Sequence, residues 1–395
     1  MKKAILFFTL TLSLTCLGQR EIQKQIQRQF IEVENGGVVK LPEGSFHFYG
    51  SLWLEGKKNV TIEGAGIDKT ILNFKDQISG AEGIKVANGS NITIRDLTIQ
   101  DTKGDGVKVQ LVDGVTFERV KASWSRGAHE KNGGYGLYPV QCTNVLIDGC
   151  ISVGASDAGI YVGQSSNIIV RNCKAYLNVA GIEIENSMYA DVYNNEVYNN
   201  TGGILIFDLP DLIVKKGGFT RVFKNNVHDN NQVNFAPKGN IVGKVPLGTG
   251  VMILATRNVE VFENEIVNNI TASTAIISYY MTENPINDTT YYPYPNNIYI
   301  HHNKYERPDV RATGKGRMGK MFRFKLKFGR DVPHIIYDGI EDPKMQDRNI
   351  CILDNTNVSF ADIDAENGFK NINRDIKPYQ CKAEPLSPVT LTLNK

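Results

Sequence analysis

Lys108, Tyr138, Tyr161 and Glu183 each stand two residues after a glycine, at Gly106, Gly136, Gly159 and Gly181. A cation, two phenols and a carboxylate at one repeated position form a graded surface suited to contacting a polar ligand. Glu183 and Glu185, with Asp157 and Asp208 near the same phrase in adjacent repeats, are oxygen ligands of the kind calcium takes. The plain alternative is a solvated glutamate pair and a stack of packed tyrosines. A polar stretch, Trp124-Ser-Arg-Gly-Ala-His-Glu-Lys-Asn-Gly-Gly134, precedes the Tyr138 phrase. It is placed to bring Arg126, His129, Glu130 and Lys131 over the column. Gln141 and Gln164, which close two of the phrases, and Tyr291 and Tyr292 of a later aromatic stretch complete the substrate-binding candidates.

Strands must position these residues. Gly136-Leu-Tyr-Pro-Val-Gln141, Gly159-Ile-Tyr-Val-Gly-Gln164, Gly181-Ile-Glu-Ile-Glu-Asn186 and Gly203-Ile-Leu-Ile-Phe-Asp208 start 23, 22 and 22 residues apart. Each alternates apolar and polar, the period of a strand rather than a helix. The second phrases, Asn144-Val-Leu-Ile-Asp148, Asn167-Ile-Ile-Val-Arg171 and Ala190-Asp-Val-Tyr-Asn194, do the same. A unit this short buries its apolar face only against copies of itself, which predicts a coil of stacked parallel strands. Aligned second phrases predict one inward column of Ile94, Phe117, Ile147, Val170, Val192, Val222, Val261 and Ile300. Asn172, Asn194, Asn225, Asn264 and Asn303 follow that strand, where asparagine tolerates a left-handed backbone and ladders its amide between turns.

Alternation turns the residues between inward aliphatics outward. One outward column therefore reads Lys85, Lys108, Tyr138, Tyr161, Glu183, Leu205 and Met252. The next reads Ala87, Gln110, Val140, Gly163, Glu185, Phe207 and Leu254. The repeat is interrupted near 123–134, 209–218, 231–248 and 281–296, and such loops carry the ligand-facing variety of a stiff coil.

The ends read differently. Lys2 and Lys3, the apolar run 4–14 and a small-residue ending at Gly18 have the layout of a secretory signal peptide, so the chain is expected to be secreted or periplasmic. A lipid anchor on Cys16 is the minor reading. Without Lys2 and Lys3 the basic count falls from 44 to equal the 42 acidic residues, so charge selects no partner. No later segment approaches the apolar length of a membrane span, and export argues against nucleic acid. Residues 20–31 carry apolar side chains at helical spacing and predict a helix that caps the open end of the coil. Cys150 and Cys173, one repeat apart, are expected as stacked buried thiols, and Cys351 and Cys381 as a candidate disulfide. Between Arg307 and Arg330 nine basic residues face one acid, Asp309. Inside that strip, Met321-Phe-Arg-Phe-Lys-Leu-Lys-Phe328 alternates and predicts an amphipathic strand, either a protected sheet edge or a polyanion-binding strip.

The entry phrases, Gly36-Gly-Val-Val-Lys-Leu-Pro-Glu-Gly-Ser45, Ser51-Leu-Trp-Leu-Glu55, Asn59-Val-Thr-Ile-Glu-Gly-Ala-Gly66 and Thr70-Ile-Leu-Asn-Phe74, together with the later repeats, resemble right-handed parallel β-helix proteins. That group includes pectate lyases, polygalacturonases, alginate lyases and mannuronan C5-epimerases. The resemblance covers residues 35–305. It implies an all-β fold, a single-body right-handed parallel β-helix with a short N-terminal capping helix: signal peptide 1–18, cap 19–34, coil 35–305, and closing strands with the basic strip at 306–395. It also implies action on, or binding of, an acidic, uronate-containing polysaccharide. Lyase or C5-epimerase chemistry needs a cation for the sugar carboxylate, a base for the C5 proton and often a tyrosine, types that Lys108, His129, Tyr138 and Tyr161 supply. Tyr135-Gly-Leu-Tyr-Pro-Val140 keeps the tyrosine, glycine and proline of the epimerase signature but lacks its acid and histidine. The adjacent aspartates and Gly-His-Gly of polygalacturonases are absent. The phrases Ser156–Ser165, Ala180–Ser187 and 202–210 are more similar to exported bacterial β-helix repeat proteins of unassigned activity, so a non-catalytic envelope-binding or assembly protein is the second expectation.

Overall fold

The computed structural model describes residues 21–345 and 349–393; the expected signal peptide and Cys16 lie outside them. A typical turn of the coil lays down three short strands, for example Ala158–Gly163, Ser166–Arg171 and Lys174–Tyr176. The first strand of a turn enters an 11-stranded sheet and the rest a 19-stranded sheet, in which Ser90–Gln100 and Asp113–Ser123 each run as one long strand through both positions. Pairing is parallel and in register, with Ala158 beside Ala180 and Ser166 beside Met188. Aliphatic side chains fill the interior because alternate residues of every strand point there.

The predicted inward column is intact. Ile94 pairs with Phe117, Phe117 with Ile147, Ile147 with Val170, and so on through Val192, Val222 and Val261 to Ile300. All are fully buried, and the column continues to Ile352 below and Ile62 above. At the open end, helix 21–32 packs Ile26 and Phe30 into the same core, and Tyr49 N–H donates to Gln23 Oε1 at 2.7 Å.

The asparagines divide into two roles. Asn172 and Asn194 occupy left-handed corners, with φ of 54° and 55°. The buried ladder instead runs from Asn195 through Asn225, Asn264 and Asn303 to Asn355, each amide donating to the next oxygen at 2.9–3.0 Å. Cys150 and Cys173 are its upper rungs: Cys150 N–H donates to Cys173 Sγ, and Cys173 N–H to Asn195 Oδ1. A second ladder of Asn178, Asn200, Asn230 and Asn269 follows another corner. Each rung satisfies backbone groups that the turning chain would otherwise bury unpaired.

Two features of the C-terminal part stand out. Cys351 and Cys381 form a disulfide. From Cys381 the chain returns across the large sheet, where Leu386, Val389 and Thr392 donate backbone N–H groups to Glu260, Asp191 and Asn144. Ile350–Leu353 and Phe360–Asp362 add the expected closing strands. The expected strand at 321–328 is corrected: Gly316–Lys325 is an α-helix. Met318, Met321, Phe322 and Leu326 stand at helical spacing and are buried, and this stripe begins upstream of the alternating phrase. Among the described residues, no helix is long and apolar enough to cross a membrane.

Candidate functional site

The outward column lies on the 11-stranded sheet and starts one turn earlier than the sequence suggested. Trp53 pairs with Lys85, Lys85 with Lys108, and Lys108 with Tyr138. Tyr161 pairs with Glu183, Glu183 with Leu205, and Leu205 with Met252.

Its two halves meet different fates. The upper half is open: Trp53 is 52% exposed, and Lys85 and Lys108 are half-exposed. Lys85 Nζ lies 5.1 Å from the Trp53 ring centre and Lys108 Nζ 4.9 Å from that of Tyr138, so each cation rests on an aromatic face. An open hollow of about 710 Å³ beside Trp53 is bordered by Gln27, Ile31, Lys57 and Ser79. The strip spans three strand spacings, roughly 14 Å or about three sugar rings.

The lower half is covered, which corrects its reading as a solvated surface. Tyr161, Glu183, Glu185, Asp157 and Asp208 are all buried. The 231–248 insertion settles where the coil presents small residues, and Gly217 and Tyr291 of two other insertions bond to Asp208. Ala158, Ala180 and Gly202 succeed one another in the flanking column, and a Cβ on Gly202 would lie 3.0 Å from Val245. From that loop Asn240 Nδ2 donates to Asp157 Oδ2 at 2.6 Å. Farther along, the insertion closes an apolar cavity of about 380 Å³ lined by Phe207, Val245, Met252, Leu254, Ile277 and Met281.

Three tyrosines form the boundary between open and covered halves. Tyr135 lies 4.5 Å from both Tyr138 and Tyr161, centre to centre, and Tyr138 meets Tyr161 edge-on at 5.0 Å. The Tyr161 ring lies across Gly163, and its hydroxyl donates to Glu185 Oε1 at 2.6 Å. A Cβ at Gly163 would stand 2.3 Å from that hydroxyl, so glycine is what lets the ring cross to the next column.

Burial dominates the electrostatics. It pushes Asp157 and Glu185 up to about 7, although hydrogen bonds from Asn240 and Tyr161 partly oppose it. Glu183 is raised well above the carboxylate range by burial and by Glu185, and neither of its oxygens has a hydrogen-bond partner. Asp208 rises to about 6 through burial, opposed by the Gly217 N–H. Tyr138 is pushed up to about 12 by burial, so its phenol is neutral. Asp105, half-exposed beside the open strip, is raised to about 6 by burial and drawn back by Lys108 and the Tyr135 N–H.

The other sequence candidates scatter. His129 is exposed, and its Nδ1 accepts from Lys131 N–H at 3.0 Å; the exposed Arg126 and Lys131 share its loop. That loop is pinned by Asn132 to Gly127 and Gly154 and by Trp124 to Thr102, and it brings its glycine end, not His129, towards Asp105 and Asp157. Gln141 accepts from Gln110 at 3.1 Å, at the edge of the open strip. Gln164 is occupied by the Val214 N–H. Tyr291 donates to the Asp208 carbonyl and packs on Tyr279, whereas Tyr292 meets Tyr294 edge-on at 5.4 Å and Tyr294 packs on Tyr280, so the two join different aromatic pairs. Of the four carboxylates expected to take calcium, none belongs to a group of three or more His, Cys, Asp or Glu side chains placed to hold a metal, among the described residues. The oxygens of Asp157, Glu185 and Asp208 are directed to Asn240, Tyr161 and Gly217, whereas those of Glu183 have no partner.

Trp53, Asp105 and Tyr135 are the residues that sequence reasoning missed. Trp53 was in view in Ser51-Leu-Trp-Leu-Glu55, at the register of Lys85. Extending the column one turn upward would have found it.

A stack of parallel turns with one partly open outward face is the architecture of a β-helix protein. The chain belongs to that family: the model of the right-handed β-helix region matches residues 82–291, more than half of its length. Among solved structures it is similar to the A-module of Azotobacter vinelandii mannuronan C-5 epimerase AlgE6, at 19% identity and a TM-score of 0.50, covering 86% of this chain and 90% of that one. It is also similar to the AlgE4 A-module of the same organism, at 18% identity and a TM-score of 0.46 over 86% and 90% of the two chains. A DFA-IIIase mutant from Arthrobacter chlorophenolicus A6 matches at 11% identity and a TM-score of 0.46, over 85% and 90%. No curated protein matches the chain by sequence. Identities this low establish the fold alone.

Proposed function

We propose that this is an exported protein that binds an acidic, uronate-containing polysaccharide along Trp53, Lys85, Lys108 and Tyr138, and acts on it as a lyase or C5-epimerase. The observation that carries the reading is the open strip itself, an exposed aromatic followed by two cations and a phenol at strand spacing. A sugar ring stacks on the indole, and successive uronate carboxylates lie against the lysines. The AlgE6 A-module, a mannuronan C-5 epimerase, shares the fold, and the substrate class proposed here is of the same kind.

For the chemistry, Asp105 replaces His129 as the base. With its acidity near pH 6 it is mostly ionised at neutral pH, and it sits beside the cation that would neutralise the substrate carboxylate. In the elimination, the C5 proton passes to Asp105, the C5–H electrons form the C4–C5 double bond, and the C4–O bond breaks. Tyr138, neutral in the resting site, gives its proton to the leaving oxygen. In epimerisation the C4–O bond stays intact, and Tyr138 instead gives its proton to C5 on the face opposite Asp105. Tyr161, which donates to Glu185 and is buried, keeps a structural role.

The second reading is a non-catalytic, envelope-associated carbohydrate-binding or assembly protein. The burial of Tyr161 and both glutamates favours it. One assay separates the two. Purified protein is incubated with alginate, pectate, glucuronan and glycosaminoglycans; ultraviolet absorbance reports unsaturated uronate, proton NMR reports epimerisation, and affinity electrophoresis reports binding. Product that disappears in Asp105→Asn supports the enzyme. Retardation without product supports the binding protein, and neither signal on any polymer rejects both.

A further inference from the structure

The helix Gly316–Lys325 and the turn after it present a surface that the polysaccharide strip does not use. One side is anchored: Met318, Met321, Phe322 and Leu326 are buried against the coil's outer face. The other side of the helix projects Phe324, 83% exposed, and the turn that follows leaves Phe328 72% exposed. Around them stand Lys315, Lys320, Arg323, Lys325, Lys327 and Arg330, all exposed. Acids at the margin are few. Asp331 pairs with Lys327 and Arg374 at 3.4 Å, and Glu283 borders the shallow groove in which Lys320, Met321, Phe324 and Phe369 meet.

The backbone is bent to hold this arrangement. Lys327 and Phe328 take consecutive left-handed conformations, with φ of 41° and 56°. Such geometry is unfavourable for a side chain as large as phenylalanine, and here it directs the ring into water. Exposed phenylalanines in a ring of cations are poorly matched to bulk solvent. They fit an interface that offers negative charge at its surface and hydrocarbon a few ångströms below. A soluble polyanion would use the cations and leave both rings without a partner.

We infer that this surface docks on an anionic lipid bilayer, with Phe324 and Phe328 inserted at the headgroup boundary and the six cations against lipid phosphates. The inference does not depend on the carbohydrate reading, because the two surfaces share no residue.

The test is sedimentation of the purified protein with vesicles of equimolar phosphatidylglycerol and phosphatidylcholine, beside vesicles of phosphatidylcholine alone. The protein should sediment with the anionic vesicles and be released by added salt. The Phe324→Ser/Phe328→Ser double variant should partition about tenfold more weakly or less still, since two phenyl rings no longer leave water. Both side chains are exposed, so unchanged circular dichroism is expected to show that the variant folds. Lys320→Glu/Lys325→Glu should also weaken binding. No sedimentation with anionic vesicles, or equal sedimentation of the double serine variant, overturns the proposal. Retention by an alginate gel that depends on Lys320 and Lys325, with the serine variant unaltered on vesicles, identifies a polyanion strip instead.

Discussion

The Tyr161 hydroxyl reaches Glu185 Oε1, 2.6 Å away, only because Gly163 lies under the ring that joins them. One missing methyl group thus couples two outward columns that would otherwise run side by side. Gly163→Ala puts a carbon into space the ring occupies, without asking the backbone for an unusual φ. The expected result is a displaced Tyr161 and a loss of about 1–3 kcal/mol in denaturant unfolding. Tyr161→Phe should cost about 1–2 kcal/mol through the stranded carboxyl. If the alanine variant is as stable as the parent, the ring is not seated on Gly163.

Glu183 is the opposite case, a buried carboxyl with no partner, paired in register with Leu205. The column below it is already apolar. Glu183→Leu is therefore expected to stabilise the protein at pH 8 by about 1–3 kcal/mol. A lower melting temperature for that variant would mean that Glu183 holds something in solution.

Stability should fall from mildly acidic to neutral pH. Asp157, Glu185 and the fully buried Asp338 are held near about 7 by burial, above their unfolded values near 4. Between those limits the folded chain keeps protons that the unfolded chain has released, so each group's contribution diminishes as pH rises through this window and then levels off. The slope for each such group is on the order of 1 kcal/mol per pH unit. Glu196, lowered by Lys174, acts in the other direction and only below its unfolded value. The melting temperature is expected to peak near pH 5, and Glu185→Gln should flatten its decline. A steady rise from pH 5 to pH 8 would contradict this account.

The two kinds of asparagine should respond differently. Asn225 donates to Val192 O and Asn264 Oδ1 and accepts from the Asn195 N–H, all within the core. Asn225→Ala is expected to cost about 2–4 kcal/mol, since it strands groups on three turns. Asn172 fills a left-handed corner that glycine also adopts, so Asn172→Gly should change stability by about 0.5 kcal/mol or less. Chemical denaturation of both variants decides the point.

For the open strip, Trp53→Ala should weaken retention on an acidic polysaccharide gel by about fivefold or more without altering the melting temperature, because the indole is half in water. Lys85→Ala should make the remaining retention less sensitive to salt. Unchanged retention in both variants would move the carbohydrate site elsewhere.

Periodicity carried much of this molecule. Alternation at a spacing of about 22 residues determines the parallel coil, the inward column from Ile94 to Ile300 and the places where loops leave the body, because strand registry makes every turn a copy of its neighbour. Registry also settles which residues point outward. It does not settle which of them meet water, and there the tertiary structure decided. The 231–248 insertion folds back over Ala158, Ala180 and Gly202 and reaches Asp157 through Asn240, Glu183 and Glu185 are buried, and Trp53, Lys85 and Lys108 stay uncovered. Likewise the phrase at 321–328 alternates like a strand, yet the apolar stripe from Met318 to Leu326 finds a surface to pack on as a helix. Local pattern fixes the period of a segment and the side it presents; contacts between segments distant in the chain decide what covers that side.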